Sequence, residues 1–280
     1  MPSATAIRAQ NVHQVRRAIP VAAIPALVRR RLERLWANPD FRAHSEAQMR
    51  FLLGCSARAD EVPALAHRYA EFMMRRSYLR WHPRAITHQP VRGIEWLTTR
   101  RDPARGVVCS FMHHNQYDGM FASVAHHGVA IHAVMTPDIM GADAGIAFNQ
   151  HERVVRRGAE IVPASLGTEG LTDLLRAGVT LAIASDVPGR TPVTFLGRPV
   201  LGSFGAARMA TSTNSPVVLV TARRDASGAS YVQVEEPLEP SAFADPGDLL
   251  DAMLQRHGEA VLAWPEALES PLARFGAVVD

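Results

Sequence analysis

The stretch GVVCSFMHHNQYDGMF, residues 106–121, decides how this chain is read. Its first seven residues, GVVCSFM (106–112), form a short apolar run of the kind that makes a strand buried on both faces. Two histidines and an aspartate follow directly. Counted from His113 the pattern is H-x-x-x-x-D, ending at Asp118; counted from His114 it is H-H-x-x-x-D-G, ending at Gly119. Each pairs a histidine base with a nearby carboxylate. With 12 histidines in the chain neither short pattern is specific alone, so the surrounding sequence has to choose.

Outward from this stretch, short apolar runs recur: VAIHAVM (129–135), AEIVP (159–163), VTLAIAS (179–185) and PVVLVTA (216–222). Helical segments separate them: DGMFASVAHH after Tyr117, then residues 143–157, 169–177 and 203–213. YVQVEEP (231–237) reads as an edge strand and DLLDAMLQRHGEAVLAW (248–264) as a terminal helix. This alternation predicts an α/β fold with a largely parallel central sheet flanked by helices. Upstream, residues 1–90 read as an N-terminal helical region. Asp60 is placed to N-cap a helix with Pro63 in its first turn, running to Trp81 and stopped by His82-Pro83. The expected organisation is therefore helices over 1–90 and an α/β core over 91–280, joined as one continuous domain. In such sheets ligands bind beyond the carboxyl ends of the strands, which is where His113 falls.

Composition narrows the function classes. Hydrophobic residues make up 47% of 280 and charged residues 20%, enough apolar material for a sizeable core. The formal net charge of +3 gives no case for nucleic acid. All 30 basic residues are arginine, so a G-x-x-x-x-G-K-[ST] nucleotide loop is impossible. Cys55 and Cys109 lie far apart, outside any C-x-x-C, and His126-His127 has no carboxylate or cysteine at ligand spacing; neither a disulfide framework nor a metal site is expected. Residues 1–19 lack the continuous apolar core of a signal peptide, and no apolar run approaches a bilayer span. A cytoplasmic chain is expected. One segment, IPVAAIPALVRRRLERLW (19–36), joins an apolar half to a basic half. It reads either as a packing helix with a solvated arginine face or as a contact with the inner face of the cell membrane.

A histidine with a carboxylate behind it suits acyl transfer. The attacking hydroxyl or amine must lose a proton, a neutral imidazole accepts it near neutral pH, and the carboxylate fixes the tautomer and steadies the imidazolium. No nucleophilic serine is needed.

The blocks after the motif carry a resemblance. In order they are His113 to Asp118, Gly158 to Pro163, Leu171 to Gly178, Ser185-Asp186, Val193 to Gly197 and Asn214 to Val218, with GIEWL (93–97) upstream. Together they resemble the lysophospholipid acyltransferase superfamily, in particular its bacterial lipid A and phosphatidylinositol-mannoside acyltransferase branch, over roughly residues 65–225. That branch shows H-x-G-N-W-D, G-x-x-x-I-P, a strand closing on Asp, V-x-F-F-G and T-G-A-P-V-V. Here Asn115, Gln116 and Tyr117 replace Gly, Asn and Trp, Pro192 stands where the mannoside enzymes tend to carry a glutamate, and Leu196 replaces a Phe. The family's C-terminal P-x-Q-W-x-W-x-x-R-F element is not recognisable in AVLAWPEALESPLARFG (260–276).

What the resemblance implies is direct transfer of a fatty acyl group from acyl-CoA or an acyl carrier protein to a hydroxyl or amino group of a lipid, glycolipid or secondary-metabolite acceptor, with no cofactor. His113 is then the base and Asp118 its orienting carboxylate. An acidic carrier protein suits the arginine-rich surface. Arg156, with Arg153 and Arg157, precedes Gly158 where the superfamily places an arginine on a substrate phosphate; the plain alternative is a solvated helical face. Asp186, before VPG, either lines the site or is a turn residue. His114 is either a substrate contact or a packed histidine. Met112, Met120, Phe121, Met135 and Met140 are candidates for an acyl tunnel or ordinary core. The second pattern, H-H-x-x-x-D-G, belongs to condensation domains and related CoA-dependent acyltransferases and would make His114 the base, but their later blocks are absent. A non-catalytic acyl-binding protein on the same fold is the third reading.

Overall fold

The computed structural model describes residues 15–275; the polar stretch 1–14 lies outside them. The chain begins with helices α1 (Ile24–Trp36), α2 (Pro39–Leu53) and α3 (Val62–Leu79). Then come β1 (Val91–Arg92), β2 (Val107–Phe111), α4 (Tyr117–Ala125), β3 (His132–Met135), α5 (Ile146–Val155), β4 (Glu160–Pro163), α6 (Gly167–Arg176) and β5 (Thr180–Ala184). They are followed by β6 (Pro188–Phe195), β7 (Arg198–Gly202), α7 (Gly205–Thr213), β8 (Val217–Arg224), β9 (Ser230–Val234), α8 (Pro246–Ala263) and α9 (Pro271–Arg274).

Seven strands form one sheet in the order β1-β9-β8-β2-β5-β3-β4, and every neighbouring pair is parallel except β8–β9. This is the mixed α/β architecture expected, mostly parallel and flanked by helices. The alternation of side chains along a strand explains the layering. Val107, Cys109 and Phe111 of β2 point to one face with Val218 and Val220 of β8, under Tyr117, Phe121 and Val124 of α4. Val108 and Leu219 point to the other, under Leu175, Ala207 and Met253 of α6, α7 and α8. Met49, Leu52, Leu65 and Tyr69 of α2 and α3 belong to that second cluster, so the N-terminal helices share the core of the sheet.

Three details depart from the sequence reading, and a fourth adds to it. Asp60 does not cap α3: a 3-10 turn over Ala59–Glu61 leads in, and the N-cap is Glu61 with no side-chain bond. The same helix stops at Leu79, two residues before Trp81. β9 is not the outermost strand, because the two residues of β1 pair outside it. The block containing Val193 to Gly197 folds as an antiparallel hairpin of β6 and β7, turned by Leu196 and Gly197 at φ 53° and 77°.

Of the segment 19–36, Ile24, Val28 and Leu32 are buried at a spacing of four, and Ile24 and Val28 cluster with Tyr78. Its apolar stripe is thus occupied by the protein's own core, and Val21 and Leu27 remain exposed. Among the described residues no helix is long and apolar enough to cross a membrane.

Candidate active site

Register brings the site together. β2 and β5 run parallel as neighbours with Phe111 opposite Ala184, and the amide of Ser185 donates to the carbonyl of Phe111 at 2.8 Å. Two residues further on, His113 and Asp186 therefore emerge side by side at the carboxyl edge of the sheet. The backbone N–H of His113 donates to Oδ2 of Asp186 at 2.9 Å, and ring Nδ1 lies 2.7 Å from Oδ1. One carboxylate thus clamps both the backbone and the ring of one histidine. Asp186 is fully buried. Burial works against its charge, but the His113 ring and, at 4.0 Å, the Arg274 guanidinium hold its carboxyl below the usual range. An ionised carboxylate only accepts, so the proton sits on Nδ1 of His113 and the lone pair on Nε2.

Asp118 does not orient His113. It lies in the first turn of α4, whose geometry directs its side chain toward α3 rather than back to the strand edge. There Arg80 Nε donates to its Oδ2 at 2.7 Å, Arg76 Nη2 stands 3.7 Å from Oδ1, and Nδ1 of His151 lies 3.7 Å from Oδ2. The carboxylate is fully buried, which opposes its ionisation; Arg80, His151 and Arg76 overcome this and hold it well below the usual range. Glu269 closes the cluster, pairing with Arg76 at 2.9 Å and Arg274 at 2.7 Å, while its own amide donates to the carbonyl of His113 at 2.9 Å. Between the two carboxylates sits Tyr117, its ring edge-on to His113 at 4.5 Å.

The sequence departure at Asn115 has a backbone cause. Asn115 adopts φ 55°, the left-handed region that glycine enters freely and that asparagine tolerates best among the other residues. Its amide donates to the carbonyl of Ala267 at 2.9 Å, pinning the turn between β2 and α4. Gly119, one turn later, brings α4 so close to Ile86 that a Cβ would collide with the Ile86 carbonyl.

His113 opens on a cavity of about 600 Å³. His113, Tyr117, Arg80, His151, Glu269 and Arg274 make its polar end. Most of the remaining wall is apolar, including Phe111, Phe121, Met135, Phe148, Leu171 and Met209. The cavity thus combines a mostly apolar wall with a cluster of polar and charged groups around His113. A larger open groove of about 830 Å³ lies elsewhere; no imidazole lines it, and its charged residues include the pair Arg223–Glu235 at 2.9 Å.

No protein-family model matches this sequence, and no curated protein matches it in sequence. Among solved structures, the 1-acyl-sn-glycerophosphate (LPA) acyltransferase PlsC from Thermotoga maritima is similar. The two align with a TM-score of 0.41 and 16% identity, over 68% of this chain and 83% of that one.

The other residues singled out from sequence scatter. His114 is buried and faces away from the cavity, its Nε2 2.8 Å from the carbonyl of Trp264; burial pushes its pKa down to about 4. It is not among the residues that line the cavity. Arg156 pairs with Glu152 at 2.8 Å on an exposed helical face and does not line the cavity. Arg153 lines a separate cleft of about 260 Å³ with Arg17, Gln150 and Arg157. Of the tunnel candidates, Phe121 and Met135 line the cavity, whereas Met112 belongs to the core on the opposite face. Sequence reasoning missed Arg80, Tyr117, His151, Glu269 and Arg274. His151 had a signal, since Phe148, His151 and Val155 repeat at helical spacing; Glu269 and Arg274 lie where no family element is recognisable.

Proposed function

We propose that this chain is an acyltransferase, moving a fatty acyl group from a thioester, acyl-CoA or an acylated carrier protein, to a hydroxyl or amino group of a lipid, glycolipid or secondary-metabolite acceptor. The observation that carries this reading is the His113–Asp186 pair at the sheet edge, opening on a mostly apolar cavity. Nε2 of His113 takes the acceptor's proton as the acceptor attacks the thioester carbonyl carbon, and Asp186 fixes the tautomer and steadies the resulting imidazolium. Guanidinium groups of Arg80 and Arg274, also in the cavity wall, are placed to stabilise charge developing on the carbonyl oxygen. The apolar wall holds the acyl chain. Asp118 belongs to the framework that supports this end of the cavity.

The rim supports a peripheral contact with lipid. Phe148, 47% exposed, lines the cavity, and Leu166, 48% exposed, precedes the cavity-lining Gly167. These exposed apolar side chains would meet the membrane's inner face or the chain presented by a carrier.

The test is mass spectrometry of products after incubating purified protein with mixed acyl-CoAs, acylated carrier protein and a cell extract. New acylated species that appear with the parent and not with His113→Ala support the reading. Retention of acyl chains without any turnover, on any donor, would instead make the protein an acyl-binding one.

A further inference from the structure

Two imidazoles open on the cavity, each backed by its own buried carboxylate. His113 has Asp186; His151, from α5, has Asp118, with Nδ1 3.7 Å from Oδ2. Phe148, His151 and Val155 follow one another at three and four residues along α5, and all three line the cavity. The helix therefore presents His151 as part of the wall. It is 6% exposed, its Nδ1 has no hydrogen-bond partner, and its ring packs 5.5 Å from that of Tyr117, whose other face of contact is His113. Arg80 and Arg76 also stand beside Asp118, so its charge does not rest on this imidazole alone. A buried polar ring with an unpaired nitrogen costs stability and calls for a role.

We propose, resting on the acyl-transfer reading above, that His151 is a second catalytic residue, the proton donor to the departing thiol. The acceptor's oxygen or nitrogen bonds to the carbonyl carbon and its proton passes to Nε2 of His113. The tetrahedral intermediate then collapses, the C–S bond breaks with its electron pair on sulfur, and the His151 imidazolium delivers a proton to that sulfur. Products are the ester or amide and the free thiol, and exchange with solvent resets both rings. In a mostly apolar cavity a bare thiolate is costly, which is what the donor relieves. Burial lowers the His151 pKa more than Asp118 raises it, so the ring, once charged, gives up its proton readily.

The experiment compares two thioesters of one chain length, palmitoyl-CoA and the palmitoyl ester of thiophenol, whose leaving thiol is far more acidic. Thiol release is followed with a total lipid extract as acceptor, for the parent, His113→Gln, His151→Gln and His151→Asn. Both His151 variants should lose about 10²-fold or more with palmitoyl-CoA and under about tenfold with the aryl ester, within the range for general acids. His113→Gln should lose both donors alike. The ratio of the two rates within one preparation is independent of how much of it is folded. Equal losses on both donors, or none on either, overturn the role of His151 while leaving acyl transfer intact. A parent inactive on both donors, and on mixed acyl-CoAs and acylated carrier protein with a cell extract, overturns acyl transfer itself, and this role with it.

Discussion

Replacing Asp118 by Asn separates a supporting carboxylate from a catalytic one. In the folded chain this fully buried carboxylate lies 2.7 Å from Arg80 and 3.7 Å from Arg76, whose guanidinium is itself 3% exposed. The amide keeps the shape and removes the charge, leaving two largely buried cations with Glu269 as their remaining carboxylate. Breaking a buried pair by removing one partner costs about 3–5 kcal/mol. For a chain of this size that corresponds to a fall in Tm of roughly 5–9 °C. The cost also has a pH signature. The folded-state pKa of Asp118 lies below its ordinary 3.8, so its contribution is complete above that value and disappears as pH falls through the folded pKa. Urea unfolding of parent and variant at several pH values should show a constant gap from pH 5 to 8 that closes in stronger acid. Equal stability at pH 7, combined with loss of turnover, would refute the reasoning and return Asp118 to the catalytic pair.

Three further outcomes follow from the same geometry. Asp186→Asn presents an amide to the ring and favours the wrong tautomer of His113, so kcat should fall about 10²–10⁴-fold while urea titration still shows a cooperative transition. His114 and His257 both have pKa values lowered by burial to about 4 against an ordinary 6.5. The unfolded chain therefore binds protons first, stability falls as pH drops from 6.5 toward 4, and each histidine should cost about 2 kcal/mol at pH 5, measurable by urea unfolding at pH 5 and 7. Met135→Trp fills part of the apolar wall and should shift the product distribution, read by mass spectrometry, toward shorter chains, with roughly tenfold or greater loss on the longest.

How much of this was legible in the sequence differs by element. The buried run Val107–Phe111 and the histidine after it placed His113 at the sheet edge, because a parallel strand covered on both faces must be continuously apolar and ligands gather at its carboxyl end. The partner was harder. Asp186 lies 73 residues away, and β5 pairs with β2 although β3 and β4 intervene in the chain. Strand order is a tertiary outcome that periodicity does not encode, so the carboxylate five positions on took the role by proximity in sequence. A helix starting at Tyr117 is what turns Asp118 away. The arginine-carboxylate cluster was illegible for the same reason: Arg76 and Arg80 come from the N-terminal helices, Glu269 and Arg274 from the last turns of the chain. For Arg156, spacing to Gly158 suggested a substrate contact, whereas the folded chain pairs it with a glutamate one turn earlier and leaves it out of the cavity lining.

The partnership of His113 with Asp186 is tested most directly by proton and nitrogen NMR of ¹⁵N-histidine-labelled protein. The account predicts a strongly downfield Nδ1–H resonance of His113, retained at neutral pH in the parent and absent from both Asp186→Asn and His113→Gln. Survival of that resonance in Asp186→Asn, or its assignment to a ring protonated only on Nε2, would contradict it.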